Sequence, residues 1–391
     1  MIEFRKALNI CIQAATTKET EKVELLQSLG RILAEDVISD IDMPPFDKTA
    51  VDGYACRRAD LKTELVVLEI IPAGIEPTKA IIPLTCSKIM TGARIPDGAD
   101  CVIMVEDVEE VSENRIRFVQ EKTANNICYL AEDVKQGAGI LKKGNLIKPQ
   151  EIAMFASVGY VNPLVYKKPE VAVISTGNEL VEPDQKPGLS KIRNSNAWQL
   201  LAQIEYMGAK AKYIGIAEDN EKALFSIIEK AQEENDVVLL TGGVSMGDFD
   251  LVPKMLKETG FEIHFKSIAV QPGRPTLFGS KKNKFVFGLP GNPVSSFVQF
   301  ELLAKPFLFK LMGFDYQPDN YAFPLAESFT RKKAARDKWI PAVFSDFGLI
   351  KPTDYHGSAH IHALSYSQFM FLVPKNVYEL KKGTVVHVRP I

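Results

Sequence analysis

Cysteine is scarce, and its count is odd. Five occur in 391 residues (Cys11, Cys56, Cys86, Cys101, Cys128), all in the first third of the chain, and none belongs to a Cys-x-x-Cys pair. That usage argues against a disulfide scaffold or a structural zinc site and points to reduced thiols in a cytoplasmic protein. Charge of one sign is lacking too. The 47 basic and 49 acidic residues leave a formal net charge of -2. This provides neither the basic footprint of a nucleic-acid binder nor a solvating acidic tail. No apolar run is long enough to span a membrane as a helix. The opening segment MIEFRKALNICIQAATTKETEKVELL is amphipathic and carries acids, which argues against a secretory signal. Repeats and low-complexity tracts are absent. What is present, 46% hydrophobic residues over a chain of this length, suits two to four globular domains.

Apolar positions at helical spacing from Glu3 to Ala15 predict a surface-packed helix. DMPPFDKTAVDGYA (Asp42–Ala55) sets Asp47 and Asp52 in a loop stiffened by two prolines. Such a loop presents carboxylates better than it builds a core. From Asp60 to about Leu141, short apolar runs between Gly, Pro and Asp turns predict a β-rich module. Met90–Ala93 and Ala131–Gly137 read there as plain turns. Pro149 opens a helix that Gly159 closes.

At Glu170 the texture becomes an alternation of strand and helix, which predicts a doubly wound α/β domain with a parallel sheet. One of its helices runs from a Ser195 or Asn196 cap to about Met207. In such sheets ligands bind beyond the carboxyl ends of the strands. Glu179, Asp219, Ser245, Asp248 and Asp250 all follow strand ends, and this convergence argues for a site. The focal stretch is DVVLLTGGVSMGDFD (Asp236–Asp250), a strand, a glycine turn and then a helix from about Leu251 to Thr259. Gly242 and Gly243 would let backbone approach a ligand, a helix start would offer N–H groups to an anion, and Asp248 and Asp250 are of the type that holds Mg²⁺. An ordinary βα turn with an acidic helix start uses the same letters. QPGRPT and GLPGNPVS repeat the pattern, with Arg274 adding positive charge and Ser295 and Ser296 adding hydroxyls. From about Gly313 the chain reads as an all-β module. Its loop Tyr355–His362 holds a His-x-His pair with no third ligand spaced nearby, so Ser358 is the more interesting donor. The changes of texture divide the chain into a connector (1–41 plus 142–168), a β-rich domain (42–141), the α/β domain (169–313) and a C-terminal β domain (314–391).

Six segments, PPFDKTAVDGYA, IMTGARIPDGAD, STGNEL, TGGVSMGDFD, QPGRPT and GLPGNPVS, stand in an order that resembles the molybdopterin molybdenumtransferases, the MoeA and gephyrin E-domain family. The likeness covers essentially the whole chain. It implies a four-domain, elongated homodimer in which the α/β domain faces a β-rich domain of the partner subunit. It also implies small-molecule substrates, adenylated molybdopterin and molybdate, with Mg²⁺ as cofactor, AMP as product and transient contact with the molybdopterin adenylyltransferase. Carried over position by position, the resemblance makes Asp52 and Thr91 active-site rim residues from the β-rich domain and Asp133 the counterpart of the acid in the family's GED motif, all three catalytic candidates. It makes Glu179 and Asp219 functional acids of the α/β domain, and Gly242, Gly243 and Ser245 a cradle for the nucleotide or pterin phosphate. Asp248 and Asp250 become Mg²⁺ ligands. Arg274, Ser295 and Ser358 form an oxyanion pocket, with Gln271, Pro290, Asn292 and Pro293 in the same motifs. Two departures thin the positive charge. Gln271 stands where many members carry Lys, and Ile340 and Pro341 follow Trp339 where many carry Arg, with Arg336 a nearby substitute. Two other readings stay open. The adenylyltransferase shares the α/β domain but has GGTG where this chain has GGVS, and it lacks the β-rich modules. A peptide-binding scaffold shares the fold but has no need of the acids retained here.

Overall fold

The computed structural model describes residues 1–244 and 251–391, so Ser245, Asp248 and Asp250 lie outside the described residues. The chain forms two compact units, one of residues 35–143 and 149–161, the other of residues 1–34, 144–148 and 162–391.

The smaller unit is built on a six-stranded sheet in the order Cys101–Met104, Gly53–Cys56, Thr85–Ile89, Glu64–Ile71, Arg115–Phe118, Val108–Ser112. Its core includes Tyr54, Leu65, Ile103 and Ile116. Cys56 faces Cys86 on one neighbouring strand and Cys101 on the other, and the Cys56 and Cys101 sulfurs are 3.8 Å apart. All five thiols are free, and four of them are buried. Burial raises the Cys86 thiol to about 12, so it stays protonated and inert at neutral pH.

The larger unit contains the α/β domain. Its sheet comprises β1 (Glu170–Thr176), β2 (Lys210–Ala217), β3 (Val237–Thr241), β4 (Glu262–Phe265), β5 (Leu277–Lys281) and β6 (Lys284–Leu289), in the order β2-β1-β3-β6-β5-β4. Alternate residues of the central strands point to opposite faces. Val171, Val173, Val237 and Leu239 pack with the helix Ser195–Tyr206, while Ala172, Ile174, Val238 and Leu240 pack with the helices Glu221–Glu234 and Val252–Glu258. The sheet is therefore doubly wound, but it is not wholly parallel as the alternation predicts. β2, β1, β3 and β6 are parallel, whereas β5 runs antiparallel to both β6 and β4. The cause is local. Only Lys282 and Asn283 join β5 to β6, and two residues can close a hairpin but not a parallel crossover.

One further expectation is corrected. Asn194, not Ser195 or Asn196, caps the helix that follows, because it keeps a non-helical backbone and its side chain accepts from Ala197 N–H. The long helical run after the GNP turn is also not uniform. It comprises Pro293–Gln299, a π-helical turn Phe300–Ala304, and Lys305–Leu311. Pro306 has no N–H to offer Leu302, and its ring would crowd that carbonyl, so the turn ahead of it widens.

The C-terminal sheet runs Val270–Gln271, Asp337–Phe344, Phe369–Val373, Val385–Pro390, Tyr321–Pro324, with Ile350–Pro352 added beside Asp337–Phe344. Its first strand belongs to the QPGRPT segment, far upstream in sequence. One short helix, His362–Ser365, interrupts the module that reads as all-β.

Candidate functional site

The α/β sheet reverses its winding between β1 and β3, since the chain leaves β1 for β2 on one side and returns to β3 on the other. Ligands bind at such switch points. A cavity of about 290 Å³ lies there, lined among others by Glu179, Arg193, Asn196, Gly242, Asn292 and Ala359. The glycine turn after β3 is tight for a physical reason. Gly242 has φ +92, and a Cβ on it would sit 2.5 Å from the Thr176 carbonyl oxygen; Gly243 has φ +61, and a Cβ there would sit 2.7 Å from Thr176 Oγ1. That Thr176 hydroxyl is buried without a partner among the described residues.

Beneath the cavity a hydrogen-bond chain fixes the floor. Ser175 Oγ donates to Asn194 Oδ1 at 2.8 Å, Asn194 Nδ2 donates to the Tyr213 hydroxyl at 2.9 Å, and Tyr213 donates to Glu182 at 2.7 Å. Burial, and then Glu182, push the Tyr213 phenol well up, so it remains a donor. Asn196 spans the mouth, donating to Thr241 Oγ1 at 3.0 Å and to the Gly291 carbonyl at 2.7 Å. Sequence reasoning assigned Asn196 to a cap and gave Arg193 no role. The polar run Arg193–Asn196 at a helix start was the available signal. Asp219 does not line the cavity; its carboxylate accepts from Asn178 N–H at 3.3 Å and holds the STGNEL turn.

The C-terminal module reaches the same cavity. Asn292 Nδ2 donates to Ser358 Oγ at 2.9 Å, and Val294 N–H donates to the Ser358 carbonyl at 3.0 Å. Ser358 thus meets the GNP turn, and its carbonyl takes one of the N–H groups of that helix start. Ser295 is buried in that first helical turn, at 3% exposure. Pro290 follows β6, and its carbonyl accepts from Thr241 Oγ1. Gln271 pairs with Lys338 in the C-terminal sheet, and the adjoining Pro272 carbonyl accepts from Gln299 Nε2 at 2.8 Å, one turn along the helix from Ser295. Arg336 Nη1 donates to the Val270 carbonyl at 3.3 Å. Burial lowers the Arg336 guanidinium, and so does the charge of Arg274 close by. Two guanidinium groups therefore flank the segment in which Gln271 stands.

In the smaller unit, antiparallel pairing of Gly53 with Ile89 brings the preceding Asp52 beside Thr91. Thr91 N–H and Oγ–H both donate to Asp52 Oδ1, at 2.6 and 2.7 Å. The backbone bond first, and then the hydroxyl, hold the Asp52 carboxyl below the usual carboxylate range. A depressed carboxyl contributes stability above its unfolded pKa and loses it as pH falls through the folded one. Thr91→Val should raise the Asp52 pKa toward its ordinary value, as read by side-chain NMR titration; an unmoved pKa would mean the hydroxyl bond is not formed in solution. Asp133 lines a different hollow, beside Met43, Pro44, Pro45 and Lys48, that neither Asp52 nor Thr91 lines.

Among the described residues, no three His, Cys, Asp or Glu side chains converge as a metal site. The His-x-His rings diverge, His360 stacking on His356 and His362 meeting Tyr366 edge-on. Glu179 supplies a hard oxygen donor at the cavity, which suits Mg²⁺, an ion held by one or two carboxylates plus substrate phosphate. Asp248 and Asp250, the sequence candidates for that role, lie outside the described residues.

Residues 2–159 match the family described as "MoeA N-terminal region (domain I and II)", and residues 172–310 match "Probable molybdopterin binding domain". Curated relatives named "Molybdopterin molybdenumtransferase" from Staphylococcus aureus (strain Mu50) and Staphylococcus epidermidis (strain RP62A) are each 33% identical over 99% of this chain and 95% of their own length. The chain belongs to the molybdopterin molybdenumtransferase family. A solved structure described as a molybdopterin biosynthesis MoeA protein from Pyrococcus horikoshii is similar over the full length of both chains, with 30% identity and a TM-score of 0.86. A molybdenum cofactor biosynthesis protein from Pyrococcus furiosus, 22% identical with a TM-score of 0.64, shares the fold. Membership makes the chain a transferase. Among the described residues no helix is long and apolar enough to cross a membrane.

Proposed function

We propose that this chain inserts molybdenum into adenylated molybdopterin, using molybdate and Mg²⁺ and releasing AMP. The observation that carries the reading is the switch-point cavity, where the glycine turn, Asn292 and the Ser358 loop converge, in a chain of this family. The pterin end would enter over Gly242 and Gly243, with Asn196 and Asn292 orienting it. Thr176 Oγ1, buried and unpartnered, is a donor for that group. Arg274 and Arg336 would offset the molybdate dianion, with Gln271, Ser295 and Ser358 as neutral donors. Both substrates are anionic, so fixed positive charge lowers their mutual repulsion. Glu179, Asp248 and Asp250 would hold Mg²⁺, which when bound neutralises phosphate charge and helps AMP depart. No protein nucleophile is needed, because the substrate's own dithiolene sulfurs take the metal. Asp52 and Thr91, with Asp133, are proposed to complete the site from the partner subunit of a homodimer, as the family resemblance implies.

The test is AMP release from adenylated molybdopterin with Mg²⁺, with and without molybdate, followed by chromatography of the pterin. Molybdate-dependent release with metal-loaded product supports the reading. Binding without release favours a scaffold, and synthesis of the adenylated pterin from ATP favours the adenylyltransferase.

The anion assignment has its own expected result. Gln271→Lys adds a cation beside a dianion and should lower the apparent molybdate KM by about three- to ten-fold, while Arg336→Ala should raise it by a similar factor. An unchanged KM in both variants would remove the QPGRPT segment from the anion pocket.

A further inference from the structure

A second hollow, of about 520 Å³, lies apart from the switch-point cavity and shares no lining residue with it. Its walls come from the helix Ser195–Tyr206, the run Pro293–Leu311 and the last strand of the C-terminal sheet. Phe297, Tyr206, Tyr316 and Met370 make it largely apolar. The volume falls in the range of sites that enclose small organic ligands.

Two cations, Lys305 and Arg389, and two acids, Glu301 and Asp319, line the hollow. Glu301 spends one carboxylate oxygen on Gln203 Nε2 at 2.8 Å and the other on Lys305 Nζ at 2.7 Å. That pair neutralises itself. Burial lowers the Arg389 guanidinium, and Tyr316 and Glu301 offset part of that from a distance, without a direct bond. The guanidinium lies over the Trp339 ring, 4.8 Å from the centroid, and among the described residues it has no hydrogen-bonded acceptor and no ion pair. A partly buried guanidinium with five unused donors is costly unless an anion meets it, and a carboxylate or sulfonate matches its fork. Asp319, at the rim, is exposed to solvent and screened. Two more polar atoms are buried here without partners among the described residues, Gln199 Nε2 as a donor and Gln203 Oε1 as an acceptor. The π-helical turn Phe300–Ala304 carries Glu301, and such turns recur at ligand sites.

We propose that this hollow is a binding site for an amphipathic monoanion, an aromatic body bearing one carboxylate or sulfonate, with Arg389 receiving the anionic group. It is separate from the substrate cavity and takes a different class of molecule.

The probe is 8-anilinonaphthalene-1-sulfonate, titrated into the full-length protein and followed by its fluorescence. One saturable site is expected. Arg389→Met should weaken it at least ten-fold, Arg389→Lys less, and Ala202→Trp, which fills the hollow, should abolish it. Thermal melts and circular dichroism accompany each variant; loosened folds bind this dye more strongly, which is the opposite of the expected change. Sodium benzoate should displace the dye competitively in the wild type. Equal dye affinity in the wild type, Arg389→Met and Ala202→Trp would overturn the proposal. So would dye binding that disappears as the protein dimerises and is restored on dilution, because the hollow would then belong to a subunit contact.

Discussion

Asp52→Ala is expected to abolish AMP release, by about a thousand-fold or more, while the protein stays folded. The loss is placed at the upper end of what one positioned ionisable group contributes. Asp52 is exposed, so its removal opens no cavity in the core. Its carboxylate is held in one orientation by both donors of Thr91, on a turn fixed by neighbouring antiparallel strands. Such a pre-organised charge, ionised at any pH near neutrality, can act on substrate without first losing a proton. The check is single-turnover AMP release beside circular dichroism and a thermal melt. Asp52→Asn keeps the shape and one acceptor but loses the charge, and it should fall nearly as far. Wild-type release in Asp52→Ala would take Asp52 out of the site. Full release in Asp52→Asn alone would assign it a hydrogen-bonding role instead.

The second large effect concerns the glycine turn. Gly242→Ala forces an L-residue to φ +92 and drives its Cβ to 2.5 Å from the Thr176 carbonyl. Left-handed backbone costs an L-residue about 1–2 kcal/mol, and displacing packed backbone adds a similar amount, so the larger unit should lose about 2–4 kcal/mol. The turn must also move, and it lines the cavity, so substrate affinity falls as well. Urea unfolding and equilibrium binding of the pterin substrate measure the two parts separately. Gly188→Ala is the control, since its Cβ would meet nothing within 4 Å. Unchanged stability and affinity in Gly242→Ala would mean that the turn is not held against β1.

The parts of the fold that could be read in the sequence are those set by local rules. Alternating apolar strands and amphipathic helices predict the doubly wound layer, and the Gly242-Gly243 pair marks the end of β3 because only glycine tolerates that backbone beside Thr176. What sequence could not supply are pairings between distant segments. Nothing in VQ at 270–271 announces that it will lie beside Asp337 and Lys338. Nor does AEDV at 131–134 announce that Asp133 will line a hollow with Met43, Pro44, Pro45 and Lys48, because a turn's neighbours depend on which strands have paired before it. The π-helical turn was signalled by Pro306, but an apolar run with good helical spacing hides such a defect. Arg389 could not be singled out at all. Its lack of a hydrogen-bonded acceptor follows from Glu301 bonding Gln203 and Lys305, the latter four residues on in its own helical run.

The two-residue strand Val270–Gln271 has a practical consequence for anyone taking the molecule apart. A gene fragment cut near residue 313, where the texture of the sequence changes, would hand the α/β portion a strand whose hydrogen-bonding edge is missing, and would leave the downstream portion short of its outermost strand. Each half would expose the edge that the other normally covers, and open edges invite self-association. Segments that look separable as text share a sheet through this dipeptide, besides the bonds of the GNP turn to the Ser358 loop, so an exchange of modules between relatives should carry residues 268–276 along with everything after 313.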